Sequence, residues 1–136
     1  MDDPALTPPD LSAAYLSIRY EDPPRGFETW RVYDDDGRVR VFDGHEWYVP
    51  CTFTPDEVAR AHRALDDCGV TRAANIDAPP DLHDAGRVTW RWRLGGRGGS
   101  LVNHAHPARD HPAMDCAMDV LLELEDAARA RDPGPA

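Results

Sequence analysis

The stretch LVNHAHPARDHPAMDC holds the densest group of potential metal ligands in the sequence. Imidazole, carboxylate and thiolate groups are the ligands that zinc prefers in proteins. His104 and His106 are two positions apart, so on a strand they would share one face. One hypothesis is a zinc or nickel site of His104, His106 and His111, completed by Asp115 or Cys116. The alternative is a polar strand end that leads into a helix, and we favour it.

The sequence has no complete catalytic motif. HAHPARDH is similar to the His-x-His-x-Asp-His signature of metallo-β-lactamase-like hydrolases, but two extra residues separate its histidine pair from Asp110-His111. The further ligands of that family are missing downstream, and neither Gly-x-Ser-x-Gly nor His-Glu-x-x-His occurs. We therefore expect a protein that is not an enzyme, without a cofactor unless the metal-site alternative holds, in which case the cofactor is zinc.

Composition and charge restrict the partners. The 136-residue chain carries a net charge of −10, which disfavours binding to nucleic acid because phosphates would be repelled. No apolar run has the ~20 residues of a membrane span. The N-terminus lacks the basic start and apolar stretch of a signal peptide, so we expect a cytoplasmic location. For that compartment the three cysteines predict free thiols, with Cys68 and Cys116 as small buried side chains.

Alternating apolar and polar residues predict several strands. AAYLSIRY reads as a half-buried strand, and ETWRVYDDDGRVRVF as a hairpin with its turn at Asp36-Gly37. A short extended piece runs through Trp47 and Val49. RVTWRWRL and SLVNH, separated by a glycine-rich loop, predict a second hairpin.

Two segments predict helices. FTPDEVARAHRALDDCGV has Thr54 as N-cap, Pro55 in the first helical position and Glu57 completing a capping box, and Gly69 is placed to end the helix. The closing segment HPAMDCAMDVLLELEDAARAR repeats apolar residues at helical spacing.

These elements predict an α+β fold, a two-layer sandwich of an antiparallel sheet with four to five strands and two helices packed on one face. We expect one domain over residues 12–131. An acidic, proline-rich and disordered lead (residues 1–11) precedes it, and a flexible tail (132–136) follows.

Arginine and aromatic residues fill the strand positions that we predict to face away from the helices, while Trp30, Trp90 and Trp92 are predicted to face them. Arginine and tyrosine anchor many protein interfaces. A solvated polar face is the other interpretation. The predicted partner-binding residues are Arg19, Arg31, Tyr33, Arg38, Arg40, Arg87, Arg91 and Arg93. Tyr15 and Phe42 share the outward positions.

The order of elements resembles a known family. SIRYEDPPRGF followed by a hairpin, then FTPDEVARAHRALDDCGV, a strand pair and a closing helix, resembles emfourin-type small bacterial inhibitors of thermolysin-like metalloproteases. Where that family has a Ser-Gly-Gly-Phe-like stretch, this chain has Arg25-Gly26-Phe27, and no inhibitory residue is assigned. The resemblance implies a non-catalytic, partner-binding domain. We therefore predict an interaction module, an inhibitor or accessory subunit that binds a protein through its outer sheet face.

Overall fold

All six strands belong to one sheet, and every neighbouring pair in it is antiparallel. The computed structural model describes residues 9–78, 85–107 and 109–131. The strands and helices are β1 (Ala14–Asp22), β2 (Phe27–Asp34), β3 (Arg38–Phe42), β4 (Trp47–Thr52), α1 (Pro55–Asp67), β5 (Gly86–Leu94), β6 (Arg97–His106) and α2 (Pro112–Arg131). Their order across the sheet is β4-β3-β2-β1-β5-β6. The predicted α+β class is confirmed, but the sheet has six strands instead of four to five.

Short turns connect the consecutive strands β1, β2, β3 and β4. Strand β5 then pairs with the side of β1 that β2 leaves free. The predicted turn at Gly37 is present, with φ at +98°. The carbonyl oxygen of Gly37 accepts a hydrogen bond from the Phe53 N–H at 2.7 Å. A Cβ at Gly37 would lie 2.2 Å from the Phe53 carbonyl oxygen, so only glycine fits this crossing.

The ends of α1 are those that the sequence predicts. The Glu57 N–H donates to the Thr54 hydroxyl at 3.2 Å, and the Thr54 N–H donates to the Glu57 carboxylate at 2.8 Å. At the other end Gly69 has φ at +86°, and the Val70 N–H donates to the Leu65 carbonyl at 2.9 Å. The helix is therefore held by a capping box and a Schellman motif.

The two helices run antiparallel on one face of the sheet. At one end a disulfide joins Cys68 to Cys116, with their Cα atoms 5.5 Å apart. At the other end Arg131 donates to Glu57 at 2.8 Å. Among the described residues, neither helix is long and apolar enough to cross a membrane.

The prediction that Cys68 and Cys116 are free thiols was wrong. Cys68 caps α1 and Cys116 lies in the second turn of α2, so antiparallel packing brings together two residues that are 48 apart in sequence. Cys51 is free and buried, and burial raises the pKa of its thiol to about 11. A thiol that stays protonated near neutral pH is a poor nucleophile.

The side chains of β2 lie on the opposite faces of the sheet from those predicted. Tyr33 lies opposite Leu16 and Arg31 opposite Ile18, on the helix-facing side. Both side chains bind the fully buried carboxylate of Glu125 in α2. Arg31 and Tyr33 therefore do not lie on the outer face, which corrects their predicted orientation. The physical reason is the fully buried Glu125, whose negative charge is paired with the half-buried Arg31 beneath α2.

Two aromatic residues also lie on the opposite face from the predicted one: Trp30 was expected to face the helices and Tyr15 to face outward. Trp30 lies on the outer face, beside Arg19. Tyr15 lies in an irregularity of the β1–β2 pairing and packs on His62 of α1, with ring centroids 4.4 Å apart. Trp90, by contrast, is buried on the helix-facing side, as predicted.

The ends of the chain are described in part. Of the predicted disordered lead, residues 9–11 are described and lie against the outer face, while residues 1–8 lie outside the described residues. The predicted tail, residues 132–136, also lies outside them.

Candidate functional site

A cavity of about 480 Å³ opens on the outer face of the sheet, over β1, β2, β5 and β6. We call this cavity the outer groove. It lies on the face opposite the helices, because its lining residues occupy the strand positions that alternate with the core. Its lining comprises Pro9, Leu11, Ser17, Arg19, Glu21, Glu28, Trp30, Arg87, Thr89, Arg91, Val102 and His104.

Two of the groove's three arginines are bound to its two glutamates. Arg19 donates to Glu28 at 2.6 and 3.0 Å, and its guanidinium lies 5.2 Å from the centroid of the Trp30 ring. Arg87 donates to both carboxylate oxygens of Glu21, at 2.8 and 2.9 Å. These pairs hold their guanidinium groups in fixed positions along one side of the groove.

Glu28 is ionised in this setting. Burial raises the pKa of its carboxyl, but hydrogen bonds from the Trp30 indole and from Arg19 outweigh that effect, and the pKa lies below its usual value. The Trp30 indole donates to Glu28 at 2.9 Å. The same contact fixes the orientation of the Trp30 ring at the groove.

Arg91 differs from the other two arginines. It is exposed, and its side chain makes no ion pair or hydrogen bond in the described part of the chain. Three arginines and two glutamates line the groove, which gives a formal charge of +1 with His104 neutral. The whole chain carries −10, so the groove is a local positive site on an acidic protein.

Two hydroxyl groups lie beside the arginines. Ser17 is opposite Arg91 in the β1–β5 pairing, and Thr89 is opposite Arg19. Ser17 is only 3% exposed. Neither hydroxyl forms a hydrogen bond within residues 9–78, 85–107 and 109–131. A hydroxyl left without a partner at a largely buried position is a ready donor to a ligand.

The N-terminal segment forms one wall of the groove through Pro9 and Leu11. Arg40 holds this segment in place. It donates to the Asp10 carbonyl at 2.7 Å and pairs with Asp34 at 2.7 and 2.9 Å. Arg40 therefore supports the wall and does not line the groove.

The other predicted arginines have local partners. Arg38 donates to Asp36 at the β2–β3 turn, at 2.9 Å. Arg93 donates to Asp35 at 2.7 Å and to the Ala14 carbonyl at 3.2 Å. Both stabilise the end of the sheet away from the groove.

Of the eight predicted partner-binding residues, the structure brings Arg19, Arg87 and Arg91 together in the groove. The groove also includes Ser17, Thr89 and Trp30, which were not among the predicted binding residues. Ser17 and Thr89 alternate in phase with the arginines, and that signal was present in the sequence.

The three predicted histidine ligands do not all come together. His104 lines the outer groove, whereas His106 and His111 line a smaller cavity of about 170 Å³ at the start of α2. An irregularity in the β5–β6 pairing between Gly86 and Val88 separates two histidines that a regular strand would place on one face. The prediction of a shared face was therefore wrong.

His111 has a structural role. It is 6% exposed, its Nε2 is 2.9 Å from the Ala74 carbonyl, and its Nδ1 accepts the Ala113 N–H at 3.2 Å. Both ring nitrogens are thus engaged at the α2 N-terminus. Within the described ranges, no group of three or more His, Cys, Asp or Glu side chains is arranged to hold a metal ion.

No model of a known protein family matches the chain, and no curated protein sequence matches it either.

Proposed function

We propose that this protein is a non-catalytic interaction module, an inhibitor or accessory subunit, that binds a protein partner through the outer groove. One observation carries the proposal. Arg91 is an exposed arginine without an ion pair among the described residues, and it lies in the same groove as an oriented tryptophan and two unengaged hydroxyls.

The groove has the composition of an interface anchor. Arginine and tryptophan are the residue types that contribute most to binding where they are buried by a partner. The ion pairs of Arg19 and Arg87 hold those side chains before the partner arrives, which lowers the entropy lost on binding. The resemblance of the layout to emfourin-type inhibitors supports a non-catalytic, partner-binding domain.

A site-specific cross-linker tests the proposal in cells. We expect the photoreactive amino acid p-benzoylphenylalanine, placed at Thr89 in the groove, to form a covalent adduct with a protein partner. The matched control places it at Arg60, an exposed position of α1 on the opposite side of the molecule. Mass spectrometry identifies the adducts, and equal adduct formation from both positions would contradict the proposal.

The inhibitory form has its own readout. The purified protein is titrated against a thermolysin-like metalloprotease, with Arg91→Glu and Arg60→Glu proteins in parallel. Inhibition that Arg91→Glu removes and Arg60→Glu preserves is the expected result. Without any inhibition, the accessory-subunit form remains and the inhibitory form is wrong.

The disulfide bears on the compartment of the protein. We predicted a cytoplasmic location, whereas a disulfide between Cys68 and Cys116 favours an oxidising compartment. Alkylation of thiols in denaturant at the moment of cell lysis, followed by mass measurement, distinguishes the two compartments, because unfolding exposes the buried Cys51. We expect one modified cysteine, Cys51, if the disulfide forms in the cell. Three modified cysteines would place the protein in a reducing compartment.

A further inference from the structure

We propose that the outer groove recognises a single acidic side chain flanked by apolar residues, in an extended segment of the partner. Arg91 and the hydroxyls of Ser17 and Thr89 bind the carboxylate, and Trp30 contacts an apolar neighbour. This inference rests on the proposed function and names the chemistry of the partner.

The charge of Arg91 is the first argument. Arg19 and Arg87 already hold the carboxylates of Glu28 and Glu21, so Arg91 is the arginine in the groove whose charge no described residue neutralises. A guanidinium presents paired N–H groups that match the two oxygens of a carboxylate. A carboxylate bound there completes a third arginine–carboxylate pair in the groove.

The hydroxyls of Ser17 and Thr89 lie beside Arg91 and can bind the same carboxylate. Ser17 is the direct cross-strand neighbour of Arg91, and Thr89 is two positions before Arg91 on the same strand and face. A carboxylate has about four acceptor positions, more than one guanidinium fills. The two hydroxyl donors are available to fill the others.

The glutamates explain why the ligand carries one negative charge. A group with two charges, such as a phosphate, would enter a groove whose formal charge is only +1 and would meet Glu21 and Glu28. Repulsion from these carboxylates also disfavours a run of acidic residues. A lone carboxylate matches the unpaired charge of Arg91.

The size and apolar lining of the groove indicate a peptide and not a free carboxylate ion. A volume of about 480 Å³ exceeds that of one carboxyl group, and Leu11, Trp30 and Val102 supply apolar surface around the polar centre. The residues that flank the acidic side chain would fill that space.

The test compares two peptides that differ in one group. The probes are acetyl-Gly-Leu-Glu-Leu-Gly-amide and the same peptide with glutamine in place of glutamate, each titrated into the isotope-labelled full-length protein by NMR. We expect the Glu peptide to shift the Trp30 indole N–H resonance and the backbone resonances of Thr89 and Arg91 in a saturable way. The Gln peptide should bind at least tenfold more weakly.

Matched variants locate the carboxylate. Arg91→Gln is expected to reduce binding of the Glu peptide to the level of the Gln peptide. Arg60→Gln, which removes an exposed arginine on α1, should leave it unchanged. Ser17→Ala and Thr89→Val should each weaken it severalfold, and the backbone spectrum reports that each variant is folded.

Several results would overturn the inference. They are equal affinity for the Glu and Gln peptides, equal losses in Arg91→Gln and Arg60→Gln, and tighter binding of inorganic phosphate than of the Glu peptide. A dimer that forms without peptide and that Arg91→Gln dissociates would show that a second copy of the chain occupies the groove.

The inference and the proposed function fail in different ways. If cross-linking from Thr89 identifies a partner but the two peptides do not differ, recognition of a carboxylate is wrong and the interaction module stands. If the peptides differ as expected but no protein is cross-linked from Thr89, the proposed function is wrong and carboxylate recognition stands.

Discussion

Replacing Glu125 with alanine is expected to lower the free energy of unfolding by about 3–5 kcal/mol, the range for removing one partner of a buried ion pair. The Glu125 side chain is fully buried and binds both Arg31 and the Tyr33 hydroxyl, the latter at 2.8 Å. Without the carboxylate, the half-buried Arg31 is left without a counter-ion and the Tyr33 hydroxyl loses its acceptor. Denaturation in urea, followed by circular dichroism, measures the change.

Glu123→Ala is the matched control, since Glu123 is an exposed glutamate on the same helix. We expect this control to change stability by less than about 0.5 kcal/mol, as is usual for surface positions. A triple replacement of Arg31, Tyr33 and Glu125 by Met, Phe and Leu should recover much of the loss, because no charge then remains buried. A loss in Glu125→Ala no larger than in the control would mean that the triad does not join α2 to the sheet.

Reduction of the Cys68–Cys116 disulfide is expected to lower the free energy of unfolding by about 4 kcal/mol. The estimate follows from the loop-closure entropy of a 48-residue separation. Thermal unfolding with and without reductant measures the effect, and the Cys68→Ser/Cys116→Ser protein is the control whose stability reductant should not alter. If the unfolding temperature of the natural chain is the same with and without reductant, the disulfide does not form.

Local signals in the sequence were sufficient for some elements. Thr54, Glu57 and Gly69 define α1 through contacts within a few residues, and Asp36-Gly37 defines a turn through backbone geometry. Such contacts can be read from spacing alone, because the interacting groups are neighbours in the chain.

The orientation of β2 could not be predicted in that way. Its sequence allows either face to be buried, and the apolar Trp30 and Val32 suggested the wrong one. The deciding interaction is between Arg31 and Glu125, which are 94 positions apart. The disulfide has the same origin, since it depends on how the two helices are arranged and not on the spacing of the cysteines.

In the candidate site, too, some features follow from local sequence and others depend on distant contacts. Arg19, Arg87 and Arg91 follow from strand alternation, and alternation also implies Ser17 and Thr89. Which arginine lacks an ion pair does not follow from it, because that depends on the cross-strand positions of Glu21 and Glu28. Similarly, a local irregularity beside Gly86 separates His104 from His106.

The most direct test of binding through the outer groove is the affinity of the cross-linked partner, once purified, for two variants of this protein. Arg91→Glu reverses the charge inside the groove, and Arg60→Glu makes the same change on α1. We predict that the Kd rises at least tenfold for Arg91→Glu and stays within twofold of the natural value for Arg60→Glu. Equal Kd values for the two variants would contradict binding through the groove.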